Sequence, residues 1–316
     1  MPEEIHPTAA PAAPKPTRII GNDPRTAIMG GQRPGMAGAT TGSDTSGVPS
    51  ERLDLPSRGL LYPKGHPAAS GFIMVRPITT AEEEILATER FAKQGITIEL
   101  VLQRCITTRG LDTLSLLNGD RTHILFYLRA ISYGPDYTFT ANLKGNLTQE
   151  VKTNVSKLQI RTMPDGFVEP ALIQVDGTNY EVVLMRGADE HAVTQARLAR
   201  KRTNPEAADI GVSLSLCRQI RSVNGEQDPE FINKHVRSMV ARHASKLRAE
   251  ILKITPGPVL RQTVVRQDNG EQEDVVIQIT ESFFRADAEP DVSVGDEGVA
   301  GQADLCADDG RRSDPH

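Results

Sequence analysis

Three cysteines (Cys105, Cys217, Cys306) and seven histidines (His6, His66, His123, His191, His235, His243, His316) are the side chains best suited to hold a metal ion or attack as a nucleophile. Their spacing favours neither chemistry. Cys-x-x-Cys and His-Glu-x-x-His pairs, which set two ligands side by side on one turn or one helical face, do not occur. Three thiols cannot complete a four-cysteine zinc site or a disulfide framework; so few fit a reducing cytoplasm and fit other compartments as well. Cys105 and Cys217 fall at similar places on apolar helical faces, where a thiol packs as a small hydrophobe. His235 and His243 lie eight residues apart on one expected helix, about two turns, and read as surface or boundary groups. No Gly-rich phosphate loop and no Gly-x-Ser-x-Gly elbow is present. The expectation is therefore no catalytic residue, no cofactor and no metal. Asn146-Leu147-Thr148 is a formal glycosylation sequon, but the N-terminus lacks the basic–apolar–small pattern of a secretory signal, so no sugar is expected.

Charge shows what surrounds these residues. The chain has 316 residues and a formal charge of −5, and no run of about 18 apolar residues that could span a membrane. Residues 1–52 carry five acids and five bases within a Pro-, Ala-, Gly- and Thr-rich stretch. Such a stretch cannot bury enough apolar surface to offset chain entropy and is expected to be disordered. Residues 287–316 carry nine acids and two bases, a solvated acidic tail. The middle, 53–286, has a net charge of +2, close to neutral.

That middle reads as α+β, with two tandem related modules at 53–162 and 163–286. Each runs strand, helices, long helix, β-ribbon. In the first, Phe72–Arg76 is a strand and Pro77 closes it. Thr80 and Glu83 form an expected capping box that opens a helix. Ile98, Val101, Leu102, Cys105 and Ile106 line a second helix, and Asp120 is the expected N-cap of a third that stops at Gly134. Tyr137–Ala141 then alternates as a strand into a turn at 143–146. In the second module, strands 171–175 and 180–185 flank Asp176-Gly177-Thr178-Asn179, and Asp189-Glu190 opens a helix. Leu214–Ile220 matches Leu100–Ile106. Asp228-Pro229 starts one long helix whose stripe is Ile232, Val236, Met239, Val240, Leu247, Ile251 and Ile254. Pro256-Gly257 ends it, before strands 259–266 and 275–279.

Two basic groups stand out. Arg197, Arg200, Lys201 and Arg202 end one helix, where cations suit the dipole. Lys234, Arg237, Arg242 and Lys246, with Arg248 and Lys253, decorate the long helix. They would supply phosphate contacts in a nucleic-acid-binding module. The near-neutral middle and few aromatics favour a solvated helical face instead.

The segment Leu55-Pro56-Ser57-Arg58-Gly59-Leu60-Leu61-Tyr62-Pro63-Lys64-Gly65 is turn-rich and ordered rather than helical. Together with Val75-Arg76-Pro77-Ile78-Thr79 followed by acids, Gly119-Asp120-Arg121 leading to Leu128-Arg129 and Tyr133-Gly134, and Ile279–Arg285, it resembles the baseplate hub assembly proteins of T4-type tailed phages. The resemblance covers about 53–285 and is most specific over 55–140. It implies a non-enzymatic role in tail assembly, as a chaperone or minor tail component, in the host cytoplasm or the virion tail. Its partners would be baseplate hub or tape-measure proteins, and an oligomer is compatible; no membrane partner is expected from the hydropathy, and nucleic acid remains the disfavoured alternative. Leu60, Leu61 and Tyr62 are the candidate contact residues. Similar phage proteins carry Cys-x-x-Cys pairs on the ribbon turns. Here the turns read Asn142–Asn146 and Arg266–Gly270 without cysteine, so the ribbons resemble zinc ribbons that have lost their ligands.

Overall fold

In the computed structural model, residues 47–279 and 281–284 are described. Most of the expected N-terminal tail and the whole acidic tail lie outside these residues. Strand β1 (Glu51–Asp54) pairs antiparallel with β2 (Phe72–Val75), so Glu51 and Arg52, expected in the tail, are strand residues. Helices α1 (Thr80–Leu86), α2 (Glu89–Gln94) and α3 (Thr97–Cys105) follow. The capping box of α1 sits one residue earlier than the sequence predicts. Thr79 is the N-cap, and Glu82 Oε2 accepts both its N–H (3.0 Å) and its hydroxyl (2.7 Å). Arg76 grips the same carboxylate through two 3.0 Å hydrogen bonds, which fixes the register.

Helix α4 (Asn118–Tyr133) ends at Gly134, whose φ of 89° a glycine adopts without strain. Asp120 is not its cap; it lies inside the first turn and is fully buried. Strands β3 (Asp136–Leu143) and β4 (Leu147–Asn154) form a hairpin, and a short β5 (Ile160–Arg161) follows. Strands β6 (Ala171–Val175) and β7 (Thr178–Val182) lead to α5 (Gly187–Thr203) and α6 (Gly211–Gln219). β8 (Ile220–Val223) returns to β7, giving a sheet of order β6-β7-β8.

The expected long helix is two helices, α7 (Pro229–Ser238) and α8 (Ala241–Ile254), joined by extended backbone at Met239 and Val240. Asp228 caps α7 as expected, accepting the Phe231 N–H at 2.8 Å. β9 (Gly257–Pro258) pairs with β5, and β10 (Arg261–Val265) forms a hairpin with β11 (Gln272–Val276).

The architecture is thus α+β, with small antiparallel sheets. One junction recurs. Arg76 N–H bonds to Cys105 O at the end of α3, and Val183 N–H bonds to Gln219 O at the end of α6, so each helix is returned to a preceding strand. One core lies around β1, β2, α3 and α4, and a second between the β6-β7-β8 sheet and α6, α7 and α8. A third, small core joins the hairpins through Ala141, Leu143, Val151, Val264 and Val275. The Gln149 amide ties the hairpins further, donating to Val265 O (3.0 Å) and accepting the Gln267 N–H (3.0 Å). Phe283 and Phe284 return to the first core, where Phe283 contacts Phe126 and Tyr137 at ring separations of 4.8 and 4.9 Å.

Candidate interaction site at the 55–65 segment

Successive turns close the segment: Leu55 O accepts the Arg58 N–H, Ser57 O the Leu60 N–H, and Gly59 O the Tyr62 N–H. Gly59 has φ +77°, and a Cβ there would lie 2.6 Å from Ala69 O, so only glycine fits. Asp120 then pins the segment onto α4. Its Oδ1 accepts the Ser57 N–H (2.9 Å) and its Oδ2 the Tyr62 hydroxyl (2.7 Å). The Tyr62 oxygen in turn accepts the Leu117 N–H at 2.9 Å. Leu117 is the N-cap of α4 and has no capping side chain of its own. A tyrosine 55 residues away therefore satisfies the N-cap N–H, the donor that a Glu or Gln at the third helical position serves in a capping box. Met185 O accepts the next one, the Asn118 N–H, at 2.9 Å. Burial pushes the Asp120 carboxyl above its usual range, against the pull of the donors from Ser57 and Tyr62.

Arg186, just before α5, reaches the same knot. It donates to Leu61 O (3.1 Å) and Ser115 O (3.3 Å), faces Glu169 at 3.6 Å, and lies 5.7 Å from the centre of the Tyr62 ring. His66 stacks on Tyr62 with ring centres 4.7 Å apart. Its pairing with Ser115 (2.8 Å) looks like a nucleophile and its base, but the protons are wrong. His66 Nδ1 accepts the Ala68 N–H, so Nε2 carries the proton and donates to Ser115 Oγ, which itself donates to Asp112 O. Burial and Arg186 also push the imidazole below its usual range, holding it neutral. This arrangement fixes a loop; it does not activate a hydroxyl.

The three contact candidates separate. Leu60 is 44 % exposed, while Leu61 is half-buried against the first core. Tyr62 is 7 % exposed and cannot be part of a surface; its hydroxyl is more useful inside, joining Asp120 to α4. The basic candidates separate too. Lys234 and Arg237 stand on α7, Arg242 and Lys246 on α8, across the break rather than on one helical face. Lys246 pairs with Asp176 at 2.6 Å. Arg197, in the other basic group, pairs with Asp209 at 2.6 Å.

Cys105 is fully buried, and burial pushes its thiol up to about 12. Cys217 is half-buried; Cys306, His6 and His316 lie outside the described residues. His235 and His243 are not two turns apart on one helix. They stand on α7 and α8 and converge on the Tyr180 hydroxyl at 2.9 and 2.8 Å. Among the described residues, no three His, Cys, Asp or Glu side chains are placed to share a metal ion, and no helix is long and apolar enough to cross a membrane.

Sequence reasoning also missed two buried ion pairs. Arg76–Glu82 ties β2 to α1. Arg121–Glu99 (2.8 Å) ties α4 to α3, with Arg121 also donating to Thr113 O and the Thr113 hydroxyl to Glu99. The one available signal was an Arg-Pro-x-Thr-x-x-Glu run at 76–82, which places an arginine six residues before the acid that closes a capping box.

Comparison of the chain with family models, with curated proteins and with solved structures returned no match.

Proposed function

We propose that the protein works without catalysis, as an assembly factor or minor component of a phage tail baseplate, by binding hub or tape-measure proteins. One observation carries this reading. The segment with the most specific resemblance is held from three sides, by Asp120, by Arg186 and by the Met163 N–H on Pro56 O (2.8 Å), and it presents Leu60 to solvent. A preorganised apolar side chain loses little conformational freedom on binding, which suits a recognition surface. The recurring helix-to-strand junction supports reading the halves as related modules. Co-expression with hub and tape-measure proteins followed by pull-down tests the reading. A retained partner is expected, and no partner from either class would contradict it. Mass spectrometry of purified virions separates a chaperone from a permanent component, in the host cytoplasm or the tail.

A second reading, nucleic-acid binding, has one observation in its favour. Lys234, Arg237 and Arg242 make no ion pair among the described residues. It requires affinity that falls steeply with salt. No binding at low salt removes it.

A further inference from the structure

Helices α7 and α8 are joined by an elbow with no glycine or proline, Ser238-Met239-Val240-Ala241. A histidine on each side aims at one oxygen: Tyr180 Oη lies 2.9 Å from His235 Nε2 and 2.8 Å from His243 Nε2. Tyr180 itself is fully buried. Counting protons gives a single arrangement for the neutral state. Asp176 Oδ2 faces His243 Nδ1 at 3.3 Å, and two lone pairs would repel there, so Nδ1 carries the proton. Neutral His243 therefore presents a bare Nε2, which accepts the Tyr180 O–H. The Tyr180 oxygen is then free to accept from His235 Nε2–H. The chain of donors runs His235 to Tyr180 to His243 to Asp176.

We propose that this chain is an acid-sensitive latch on the α7–α8 elbow, closed when both imidazoles are neutral and opened when they take up protons. A proton on His243 Nε2 turns that ring into a donor, and the chain then holds only if neutral His235 moves its proton to Nδ1 and accepts the Tyr180 O–H. A second proton on His235 places two cations around a buried hydroxyl. The other groups facing the chain do not cancel this. Asp176 sits at the β6–β7 turn and shares its charge with Lys246 of α8 at 2.6 Å. Thr178 of β7 bears on the phenol as a neutral hydroxyl, and the Phe231 ring of α7 stacks on His235 at 6.1 Å. Lys234 and Arg242, the chain neighbours of the two histidines, add only positive charge. Burial and the neighbouring His243 already push the His235 imidazole below its usual range, so the folded form prefers it neutral. Stability from that preference is present above the ordinary imidazole range and is lost as the pH falls.

Hydrogen–deuterium exchange on the full chain at pH 7.5 and pH 5, corrected for intrinsic rates, tests the latch. The readout is the N–H groups at the elbow: Met239 on Val236 O (3.3 Å), and His243 and Ala244 on Val240 O (2.9 and 3.0 Å). Their protection is expected to fall on the order of tenfold at pH 5, with that of α4 unchanged. Glutamine hydrogen-bonds but takes no proton in this range, so the double variant His235→Gln, His243→Gln should lose the pH dependence. Tyr180→Phe should expose the elbow at both pH values. Equal wild-type protection at the two pH values, or pH dependence that survives the double glutamine variant, would overturn the proposal.

Discussion

Glu82 is 1 % exposed, and its carboxylate receives Arg76 on both oxygens and Thr79 on one. Burial alone would raise its pKa, but these donors outweigh burial and hold it down to about 2. The native state therefore favours the ionised form. Its contribution is complete above the ordinary glutamate range, near pH 4.3, and is lost as the pH falls from there toward 2. Asp120 has the opposite sign: burial raises it, so its ionised form is held at a cost that disappears on protonation. Glu82→Gln leaves a buried guanidinium without its charge partner and is expected to cost about 3–5 kcal/mol at pH 7 by urea unfolding. It should also flatten the decline in stability between pH 4.3 and 2. A variant as stable as the wild type at pH 7 would show that the pair contributes nothing. A capping box was legible here but one residue off, because Thr79 and Thr80 are equivalent by type and only the Arg76 side chain, six residues ahead, distinguishes Glu82 from Glu83.

Among the elements, α4 shows how a motif can be visible while its cause is not. Gly119-Asp120-Arg121 stands out in the sequence, and each residue answers to a different partner. Gly119 lets the β9 chain approach, Asp120 receives Ser57 and Tyr62, and Arg121 pairs with Glu99. A Cβ at Gly119 would lie 1.7 Å from Pro256 O. Helix propensity would favour Gly119→Ala by roughly 1 kcal/mol, but the overlap with main chain is expected to reverse the sign. A net loss of about 2 kcal/mol or more in urea unfolding is expected; a stabilised variant would show that α4 and β9 can separate freely. The α7–α8 elbow is the converse case. Ile232, Val236, Met239, Val240, Leu247 and Ile251 continue a helical stripe across it, and nothing local signals a break. Contacts from Tyr180 on another element accompany the bend, and a one-dimensional pattern cannot show them. Hairpin β3–β4 was legible because Gly145 and Asn146, both at positive φ, are turn residues by type.

At the scale of the molecule, the alternation of helices and hairpins could be read from periodicity and turn residues, whereas β1, α2, β8 and the way the two lengths of chain interlock could not. The described residues belong to one compact unit. β5 pairs with β9, Asn118 and Gly187 exchange hydrogen bonds across the halves with Met185 and Leu116, and Phe283 fills the first core from the far end of the chain. Residues 47–162 and 163–284 expressed separately are therefore expected to lack cooperative unfolding transitions and to recover structure on mixing. A cooperative transition in either half alone would contradict this. Of the three contact candidates Leu60 is exposed, Leu61 half-buried and Tyr62 buried, because the residue types at 60–62 do not reveal that Asp120 binds the Tyr62 hydroxyl. The most direct test of the central claim is the affinity of the intact protein for the hub and tape-measure proteins proposed as partners, compared between wild type and Leu60→Asp. The account requires a complex that weakens at least about tenfold in the variant while its unfolding midpoint stays within error. Equal affinity of the two proteins would show that this segment is not the recognition surface.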